Sequence, residues 1–479
     1  MFDFLKHFPY EETRPLQAEV LINLAELWDK YDVFVIGAPT AAGKTALAKA
    51  IMASSYSCSV ITPTNQLVQQ FLAEFPDTRT YLTWPHYPQT PDGAAQRRRD
   101  FAQLKYRRGP GIYNYYMYYA MKAFRDVLVV DEAHGLIGMM QDLGGMTIWQ
   151  HKVNYPSGIT QDRPRFRAWL EKVRPLYSRQ KWWKYAVSAM SSEVPQHVLE
   201  ETTDMWSGGG VDDPETGEPV HRGEEVEMPV IKFKPVDVRD LPVVQSVLPA
   251  TSKLILMSAT IGSKDLEELG LDRRRVAYLR CQHPIPAEQR PVIIAPPCVI
   301  NYRNLEEATR TIGDIILGGI LPEHSGEKGL LHVTYRQQQI LRSVLGHDPR
   351  FLFHGKLDKM EQFRKFRAMP PESGAVLVAS GMYEGVDLPY DAARWQAICK
   401  VPWPSLADMA TKHKADRDRD WYDWTTYRTL IQACGRVCRT EKDYGVTYLL
   451  DGAIYKLLDR SSRLTPQWWR DTLIDAGGE

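Results

Sequence analysis

The chain has 479 residues, 44% hydrophobic and 25% charged, and its 59 Lys and Arg balance 59 Asp and Glu to a formal net charge of zero. That length predicts two to four domains, and the composition excludes a disordered chain. Zero net charge excludes nucleic-acid binding through an overall positive field, leaving only local basic surface. No apolar run reaches about 18 residues and the N-terminus has no signal-peptide pattern, so we expect a cytoplasmic location and no membrane association.

Cysteine usage indicates reduced structural thiols in a cytosolic protein. No C-x-x-C pair is present. Cys434 and Cys438 are four residues apart on a predicted helix, but no second pair exists to complete a metal site. The other cysteines lie in separate contexts, at Cys58, Cys281, Cys298 and Cys399.

Short apolar segments that end in small or polar residues predict the buried strands of a first α/β domain. They are YDVFVIGAP (31–39), CSVITPT (58–64), DVLVVDEAH (126–134) and KLILMSAT (253–260). Helical patterns lie between the early ones, and this alternation predicts βαβ units in a parallel sheet. A second α/β domain is predicted from about residue 286 by a similar set: RPVIIAPP, KGLLHVTY, RFLFHG, GAVLVAS, RWQAICKVPWP and YGVTYLLD.

The segment between VVDEAH and LMSAT is longer than two neighbouring strands of one α/β domain need. We therefore expect an inserted unit at about 140–245. It contains the basic aromatic stretch RPLYSRQKWWKY (174–185) and a loop rich in Gly, Pro and acidic residues.

GAPTAAGKT (37–45) follows an apolar strand and opens a helical pattern, which is the context of a phosphate-binding loop. Small residues let backbone N–H groups close around phosphate oxygens, and the helix N-terminus adds positive potential. Lys44 would reach the β- and γ-phosphates of a nucleoside triphosphate, and the Thr45 hydroxyl would ligate Mg²⁺. The match is degenerate because Ala38 stands where the full pattern has Gly, and the alternative is a strand-to-helix turn with a solvated lysine.

VLVVDEAH (127–134) places Asp131 and Glu132 at the carboxyl end of a predicted strand, where open α/β sheets hold ligands. Asp131 can hold Mg²⁺, and Glu132 can polarise the water that attacks the γ-phosphate. An isolated acidic pair at a strand end is often only solvated. Together with the upstream phosphate loop, this pair predicts an NTPase site.

Further motifs follow in order: MSAT (257–260), ASGMYEGVDLP (379–389) and QACGRVCR (432–439). Arg436 and Arg439 are predicted to share one face of a helix at i, i+3. Such a pair facing a bound nucleotide would stabilise the charge that develops during hydrolysis. An isolated helical pair is usually solvated, but here the pair completes an ordered set.

This ordered set resembles helicase superfamily 2, and over nearly its whole length the chain is similar to the XPD/DinG group of DEAH-type DNA helicases. The stretches that look like that group, in that group's order, are FPYEETRPLQ (8–17), ITPTNQLVQQF, YNYYMYYA, EGVDLP, VPWP and QACGRVCRTEKDYGVTYLLD. The resemblance implies an α/β fold: two RecA-like parallel-sheet domains with an inserted, mainly helical, arch-like domain. The implied boundaries are 1–139 for the first part of motor domain 1, with a short basic insert at about 77–112, then 140–245 for the arch-like insertion, 246–285 for the second part of motor domain 1, and 286–479 for motor domain 2.

The resemblance also implies roles for individual residues. The catalytic set is Lys44, Asp131, Glu132, His134, Gln432, Arg436 and Arg439. The ATP-binding set is Gln17 in the adenine-reading position, Ala41, Ala42, Gly43, Lys44, Thr45, Ala46, Gly385 and Asp387, with Mg²⁺ held by Thr45 and Asp131. The nucleic-acid set is Thr62, Thr64, Tyr113, Tyr115, Thr334, Ser380 and Gly381, while Ser258 and Thr260 would couple the two sites.

Three departures from the group's pattern matter. Ala41 stands where Gly is usual, which should stiffen the loop, and Tyr390 follows VDLP where Gly is common. Residues 65–130 contain none of the cysteines with which members such as XPD hold an iron–sulfur cluster. We therefore expect ATP and Mg²⁺ as cofactors, and no iron–sulfur cluster.

The implied activity is ATP-dependent 5′-to-3′ translocation on, or unwinding of, DNA, with ATP bound in the cleft between the two motor domains. The expected partner is single-stranded DNA, including forked or 5′-tailed duplexes, bound by a monomer mostly through phosphate charge and base stacking. Two alternatives stay open. One is a nucleic-acid-dependent ATPase that remodels protein–DNA complexes without unwinding, and the other is an RNA helicase.

Two surface features have competing interpretations. The basic cluster Arg97, Arg98, Arg99, Lys105, Arg107 and Arg108 is either a solvated face or a nucleic-acid surface. Trp182 and Trp183, flanked by Arg179, Lys181 and Lys184, are either a DNA-touching surface of the insert or its core, and core is favoured for at least one of the rings.

The tyrosine-rich stretch GIYNYYMYYA (111–120) leads into the acidic strand. Asn114 is predicted to cap a helix that runs from Tyr115 to about Phe124. We assign Tyr116 and Tyr119 mainly to the core, and Tyr113 or Tyr115 to stacking on a base.

Overall fold

The computed structural model of the protein describes residues 3–39, 41–55, 57–75, 109–122, 124–191, 197–206, 226–239, 241, 244–245, 248, 250–355, 358–383 and 388–477, and a few residues between 92 and 100. The chain divides into two compact units. The first comprises Met1–Gly37, Lys44–Arg280 and Ser405–Arg417, and the second comprises Ala38–Gly43, Cys281–Pro404 and Asp418–Glu479.

The described helices and strands alternate along most of the chain. In chain order the strands are β1 (Val33–Gly37), β2 (Cys58–Thr62), β3 (Gly111–Asn114), β4 (Val127–Asp131), β5 (Met146–Trp149), β6 (His197–Trp206), β7 (Val226–Pro235), β8 (Lys253–Met257), β9 (Val276–Arg280), β10 (Val292–Ile294), β11 (Gly329–Val333), β12 (Phe351–Phe353), β13 (Val376–Ser380), β14 (Trp395–Ile398), β15 (Val446–Leu449) and β16 (Leu473–Asp475). The α-helices are α1 (Pro15–Leu27), α2 (Lys44–Ala53), α3 (Asn65–Glu74), α4 (Tyr115–Met121), α5 (Leu136–Gly144), α6 (Arg163–Tyr177), α7 (Lys181–Ser191), α8 (Ser263–Glu268), α9 (Leu305–Ile315), α10 (Leu321–Glu323), α11 (Tyr335–Leu345), α12 (Lys359–Ala368), α13 (Met409–Arg417), α14 (Arg419–Cys434), α15 (Ala453–Ser461) and α16 (Gln467–Arg470).

The first unit is built on a parallel sheet with strand order β3-β2-β4-β8-β1-β9. Its inner strands are nearly continuous apolar runs because helices cover both faces of such a sheet. The four strands predicted in this part of the chain are confirmed, and the structure adds β3 and β9 at the two edges. Because all the pairs are parallel, β1, β2 and β4 present their carboxyl ends, where the motifs lie, at one edge of the sheet.

The second unit contains a parallel sheet with strand order β12-β13-β11-β14-β15-β10-β16. The six strands predicted after residue 286 are all present, and β16 at the edge is an addition. The two parallel α/β sheets confirm the predicted fold class.

The inserted segment contains a feature that the sequence analysis missed. Besides the expected helices α6 and α7, it carries an antiparallel sheet of order β5-β7-β6. One apolar cluster joins this sheet to the helices, and Trp182 and Trp183 both pack against it. Trp182 stacks on Trp169 at 6.1 Å between ring centroids, and the Trp183 indole N–H donates to the Leu170 carbonyl over 3.0 Å. The core interpretation of these rings is therefore supported.

Helix α13 groups with the first unit although the chain on either side of it groups with the second. Ala410 of α13 is buried in an apolar cluster with Val198 and Val236. Among the described residues, no helix has the length and apolarity needed to cross a bilayer.

Candidate functional site

The loop between β1 and α2 uses left-handed backbone at two positions. Gly43 has φ 74°, where glycine is free of strain, and Ala41 has φ 68°, where a Cβ costs about 1–2 kcal/mol. This conformation explains why glycine is usual at the position of Ala41. The Ala42 N–H donates to the Pro39 carbonyl over 3.3 Å, and Ala42 and Ala46 are buried, so small side chains are needed here.

In the first unit, Lys44 at the start of α2 meets the acidic residues that follow β4. The Lys44 ammonium lies 3.0 Å from one carboxylate oxygen of Glu132, and His134 Nδ1 lies 3.4 Å from the other. The same Nδ1 lies 2.9 Å from the Ser258 hydroxyl, whose oxygen accepts from the Thr260 N–H over 3.1 Å. The structure thus joins the phosphate-loop lysine, the DEAH segment and the SAT segment in one polar network.

Asp131 is an unusual carboxylate within this network. Burial, followed by the neighbouring charge of Glu132, raises the pKa of Asp131 to about 7, while Lys44 and the Glu132 N–H act in the opposite direction. The Glu132 N–H donates to Asp131 Oδ1 over 3.0 Å. A carboxylate that is expensive to ionise in the free protein is well suited to a divalent cation, because the cation supplies the missing positive charge.

The backbone at Glu132 is itself strained, with φ 50°. Tyr115 on α4 stabilises this turn, because its hydroxyl lies 2.6 Å from the Asp131 carbonyl and 2.8 Å from the Glu132 carbonyl. Burial, followed by the charges of Asp131 and Glu132, raises the pKa of Tyr115 well above its usual value, so the phenol stays protonated as a donor. Tyr115 therefore fixes the backbone of the acidic pair through the carbonyl oxygens of Asp131 and Glu132.

These residues fit a Mg²⁺ site. The Asp131 carboxylate and the Thr45 hydroxyl would supply hard oxygen ligands of the kind that Mg²⁺ takes in phosphate-binding sites. With ATP bound, Mg²⁺ would supply positive charge at the phosphates, and Lys44 and Glu132 would be placed to act on the phosphates and on the attacking water.

The assignment of the tyrosine rings in 111–120 is partly wrong. Tyr113 and Tyr115 are 4% and 1% exposed and belong to the core, so neither presents a ring to a base, whereas Tyr116 is 43% exposed. Tyr119 packs against the core as expected. The predicted cap is correct, since Asn114 Oδ1 accepts from the Met117 N–H over 2.7 Å.

The helix itself ends earlier than predicted. It stops at Met121 because Lys122 adopts a left-handed conformation, with φ 48°. In the short helix that results, the face carrying Tyr115 and Tyr118 is buried, and Tyr116 points outward to donate to Asp142 over 2.7 Å.

In the second unit, Arg436 and Arg439 do not share a helix face. Helix α14 ends at Cys434, and both arginines lie in the irregular segment that follows. The physical reason is a long-range cap, because the Gln396 amide on β14 donates to the carbonyls of Ala433 and Cys434 over 2.9 and 3.0 Å. Cys438 is also beyond the helix, so the predicted helical spacing of Cys434 and Cys438 is wrong.

We call residues 435–444 the arginine segment. The Arg436 side chain donates to the Tyr383 carbonyl over 2.9 Å, and the Arg439 side chain donates to the Gly435 carbonyl over 3.0 Å. Gln432 lies on the last turn of α14, just before this segment.

The remaining second-unit predictions lie at the carboxyl ends of two paired strands. Thr334, directly after β11, caps α11, and its neighbour Val333 pairs with Ser380 at the end of β13. Gly381 has φ 61°, and its carbonyl accepts from the Lys359 ammonium over 2.5 Å. Gly385 and Asp387 lie outside the described residues.

In the first unit, Thr62 ends β2 and its hydroxyl donates to the Thr64 carbonyl over 3.1 Å, while the Thr64 hydroxyl caps α3. Gln17 is buried on the first turn of α1, where its side-chain oxygen accepts from the Arg14 N–H over 3.1 Å. Of the basic cluster, Arg97, Arg98 and residues 101–108 lie outside the described residues, and Arg99 donates to Gln96 over 3.0 Å.

Two functional features escaped the sequence analysis. The first is the buried Tyr115 hydroxyl, which contacts the backbone of the acidic pair. The sequence indicated it only weakly, through the position of a tyrosine on the face of α4 that packs on the sheet. Asp443, whose carboxylate accepts from the backbone N–H groups of Arg439 and Tyr390, had no sequence signal, because Tyr390 lies 53 residues away in sequence.

Comparison with known proteins gives a consistent set of relatives. Residues 330–472 match the helicase C-terminal domain family. A probable ATP-dependent helicase of Methanocaldococcus jannaschii is 25% identical over 222 residues, which are 41% of this chain and 34% of that protein. A regulator of telomere elongation helicase 1 homolog of Caenorhabditis elegans is 25% identical over 131 residues, 23% of this chain and 13% of that protein. The chain thus matches about a third or less of the length of these relatives.

Solved structures agree on the fold. An XPD helicase structure aligns with a TM-score of 0.62 at 14% identity, covering 97% of this chain and 100% of that one. The structure of S. tokodaii Xpd4 aligns with a TM-score of 0.60 at 14% identity, covering 96% and 100%. The matched helicase C-terminal domain and the shared fold agree with the resemblance to XPD/DinG-type helicases of superfamily 2 that the ordered motifs indicate.

Proposed function

We propose that the protein hydrolyses ATP with Mg²⁺ and uses the reaction to move along single-stranded DNA in the 5′-to-3′ direction, unwinding duplexes that carry a 5′ tail. The observation that carries the ATPase part is the network in the first unit, in which Lys44, Glu132 and His134 lie in contact beside Asp131. A purely structural role would not require a lysine at a phosphate loop and two adjacent carboxylates, one of them with a raised pKa.

In the proposed reaction, Lys44 leaves Glu132 for the β- and γ-phosphates, which frees the carboxylate to polarise the attacking water. Asp131 and Thr45 would hold Mg²⁺, which would supply positive charge to offset the negative charge of the phosphates. The contact between His134 and Ser258 would transmit the movement of Lys44 and Glu132 to the SAT segment. The SAT segment would in turn couple ATP hydrolysis to the nucleic-acid site. Arg436 and Arg439 are proposed to stabilise the developing negative charge, a role that rests on their place in the motif order.

The nucleic-acid part of the proposal is supported by local basic surface on a neutral protein. In the insert, exposed basic side chains lie on α6, on α7 and on the turn between them, with few acidic neighbours. They are Arg165, Arg167, Lys172, Arg174, Arg179 and Lys184. Such a surface suits a phosphate backbone and not a specific base sequence. We propose DNA as the substrate from the resemblance to the XPD/DinG group, with a monomer as the active form.

The test is ATPase and strand separation on 5′-tailed DNA, 3′-tailed DNA and RNA duplexes, with Lys44→Ala beside the wild type. Lys456→Ala, at an exposed position of α15, serves as the matched control. We expect nucleic-acid-stimulated hydrolysis and unwinding of the 5′-tailed DNA only, both lost in Lys44→Ala and retained in Lys456→Ala.

Other outcomes select other functions. Hydrolysis on DNA without strand separation would indicate a remodelling ATPase, and preference for RNA duplexes would indicate an RNA helicase. Hydrolysis that ignores nucleic acid, or that survives the loss of Lys44, would contradict the proposal.

A further inference from the structure

Asp443 is a buried carboxylate whose acceptor capacity is filled by four donors. Its Oδ2 accepts from the N–H groups of Arg439 and Tyr390 over 2.9 and 3.0 Å. Its Oδ1 accepts from the Tyr444 N–H over 3.0 Å and from the Arg394 guanidinium over 2.7 Å. The residue is 1% exposed, so water does not compete for these bonds.

The arginine segment depends on such an anchor because no regular secondary structure holds it. Helix α14 ends at Cys434 and β15 begins at Val446, and between them the backbone is irregular. The bond from the Arg439 N–H to Asp443 lies within this irregular stretch, and it fixes the point on the backbone from which the Arg439 side chain extends.

The same carboxylate binds a second element, residues 388–394, which begins with the last two residues of the VDLP motif. Tyr390 has φ 52°, a strained conformation for a bulky residue, and its N–H points to Asp443. The Leu388 N–H donates to the Arg436 carbonyl over 3.3 Å, which ties the two elements together at a further point. Arg394 completes the assembly from the start of β14, with its guanidinium 4.1 Å from the Tyr444 ring centroid.

We propose that Asp443 is a positioning residue for ATP hydrolysis, which fixes the backbone of Arg439 and the turn at Tyr390 in one geometry. The inference rests on the proposed function, because it assigns Asp443 to act through Arg439. Asp443 itself contacts neither ATP nor nucleic acid in this scheme.

The chemistry of the site requires an aspartate. An asparagine at this position offers one acceptor oxygen, and its amide N–H₂ would face donors on the other side. A glutamate keeps the charge but carries the carboxylate one methylene further, which displaces Arg439 or Tyr390. Displacements of about 1 Å in groups that act on a transition state can lower rates by up to about 100-fold.

A matched control exists in the same unit. Asp451 is also 1% exposed, and its carboxylate accepts from the N–H groups of Ile300, Val401 and Ala453, each over 3.0 Å. It is therefore a buried carboxylate with backbone partners of the same kind, and none of them belongs to the arginine segment.

The experiment compares Asp443→Asn with Asp451→Asn in nucleic-acid-stimulated ATP hydrolysis and in thermal unfolding. We expect both variants to lose stability, Asp443→Asn the more because Arg394 loses a charged partner, but only Asp443→Asn to lower kcat, by roughly 10- to 100-fold, with KM for ATP changed less than about threefold. In an Arg439→Ala background, Asp443→Asn should change kcat by less than about twofold, since the residue through which it acts is absent.

Equal kcat effects of the two aspartate variants, or an undiminished effect of Asp443→Asn without Arg439, would overturn the inference while the proposed function stands. Absence of hydrolysis in the wild type would instead refute the proposed function. If Asp443→Asn does not fold, Asp443→Glu takes its place, with the same loss of kcat expected and an unchanged kcat contradicting the proposal.

Discussion

Substitution of Glu132 by glutamine separates catalysis from structure most cleanly. In the free protein the Glu132 carboxylate contacts Lys44 at 3.0 Å and His134 at 3.4 Å, and it is 30% exposed. Glutamine keeps the shape and one acceptor oxygen, but its amide cannot take up the proton of the attacking water. A general base contributes about 10²–10⁴ in rate, so we expect kcat to fall by that factor, which corresponds to about 3–5 kcal/mol in the barrier.

The effect on folding should be small. The partly exposed ion pair with Lys44 contributes at most about 1 kcal/mol, and its loss is offset because Glu132 no longer repels the Asp131 carboxylate. The free energy of unfolding should therefore change by less than about 1 kcal/mol.

The assay is single-turnover hydrolysis at saturating ATP and Mg²⁺, with ATP binding and urea unfolding measured in parallel. Glu171→Gln is the control, because Glu171 is 63% exposed on α6 and lies 3.5 Å from Arg174. Hydrolysis within about threefold of the wild type would refute the assignment of Glu132 as base. The assignment would also be refuted if the loss of rate were fully explained by weaker ATP binding or by a lower free energy of unfolding.

Three further expectations concern pH, strain and metal. The pKa of Asp131 is raised to about 7, so between about pH 4 and pH 7 the folded protein keeps a proton that the unfolded chain releases. The free energy of unfolding should therefore fall as pH rises through this window, and Asp131→Asn should flatten the fall in urea titrations at pH 5 and pH 8. Tyr390→Gly should stabilise the protein by about 0.5–1 kcal/mol, since relief of left-handed strain exceeds the added flexibility of the unfolded chain. Tyr302→Gly, at an 82% exposed position without positive φ, should instead destabilise it in the same urea experiment. Purified protein should contain no stoichiometric iron by elemental analysis, and a brown colour would contradict the prediction made from the cysteine positions.

Local sequence predicted those parts of the structure that local forces determine. The strands β1 and β4 are apolar runs that end in polar motifs, and Asn114 is a strong helix cap, so each was located correctly. The edge strand β9 was missed because its apolar run, 276–279, is short and has arginines on both sides.

Long-range contacts determine the parts that sequence did not predict. The end of α14 is set by Gln396 from a neighbouring strand, which no pattern within 419–439 reveals. The insert strands β6 and β7 contain many polar and acidic residues, and their pairing with each other makes them strands. The early end of α4 reflects the left-handed conformation of Lys122, and the burial of Tyr115 and Tyr118 reflects packing in the core of the first unit.

Helix α13 has a consequence for any attempt to produce the first unit as a fragment. A fragment that ends at residue 280 would lack Ala410, which packs against Val198 and Val236 in a buried apolar cluster. It would also lack Lys414, the salt-bridge partner of Glu268, whose side chain is 8% exposed. Loss of a cation that pairs with such a carboxylate is destabilising. A fragment of the first unit should therefore include residues 405–417, for example joined to its C-terminus by a short linker.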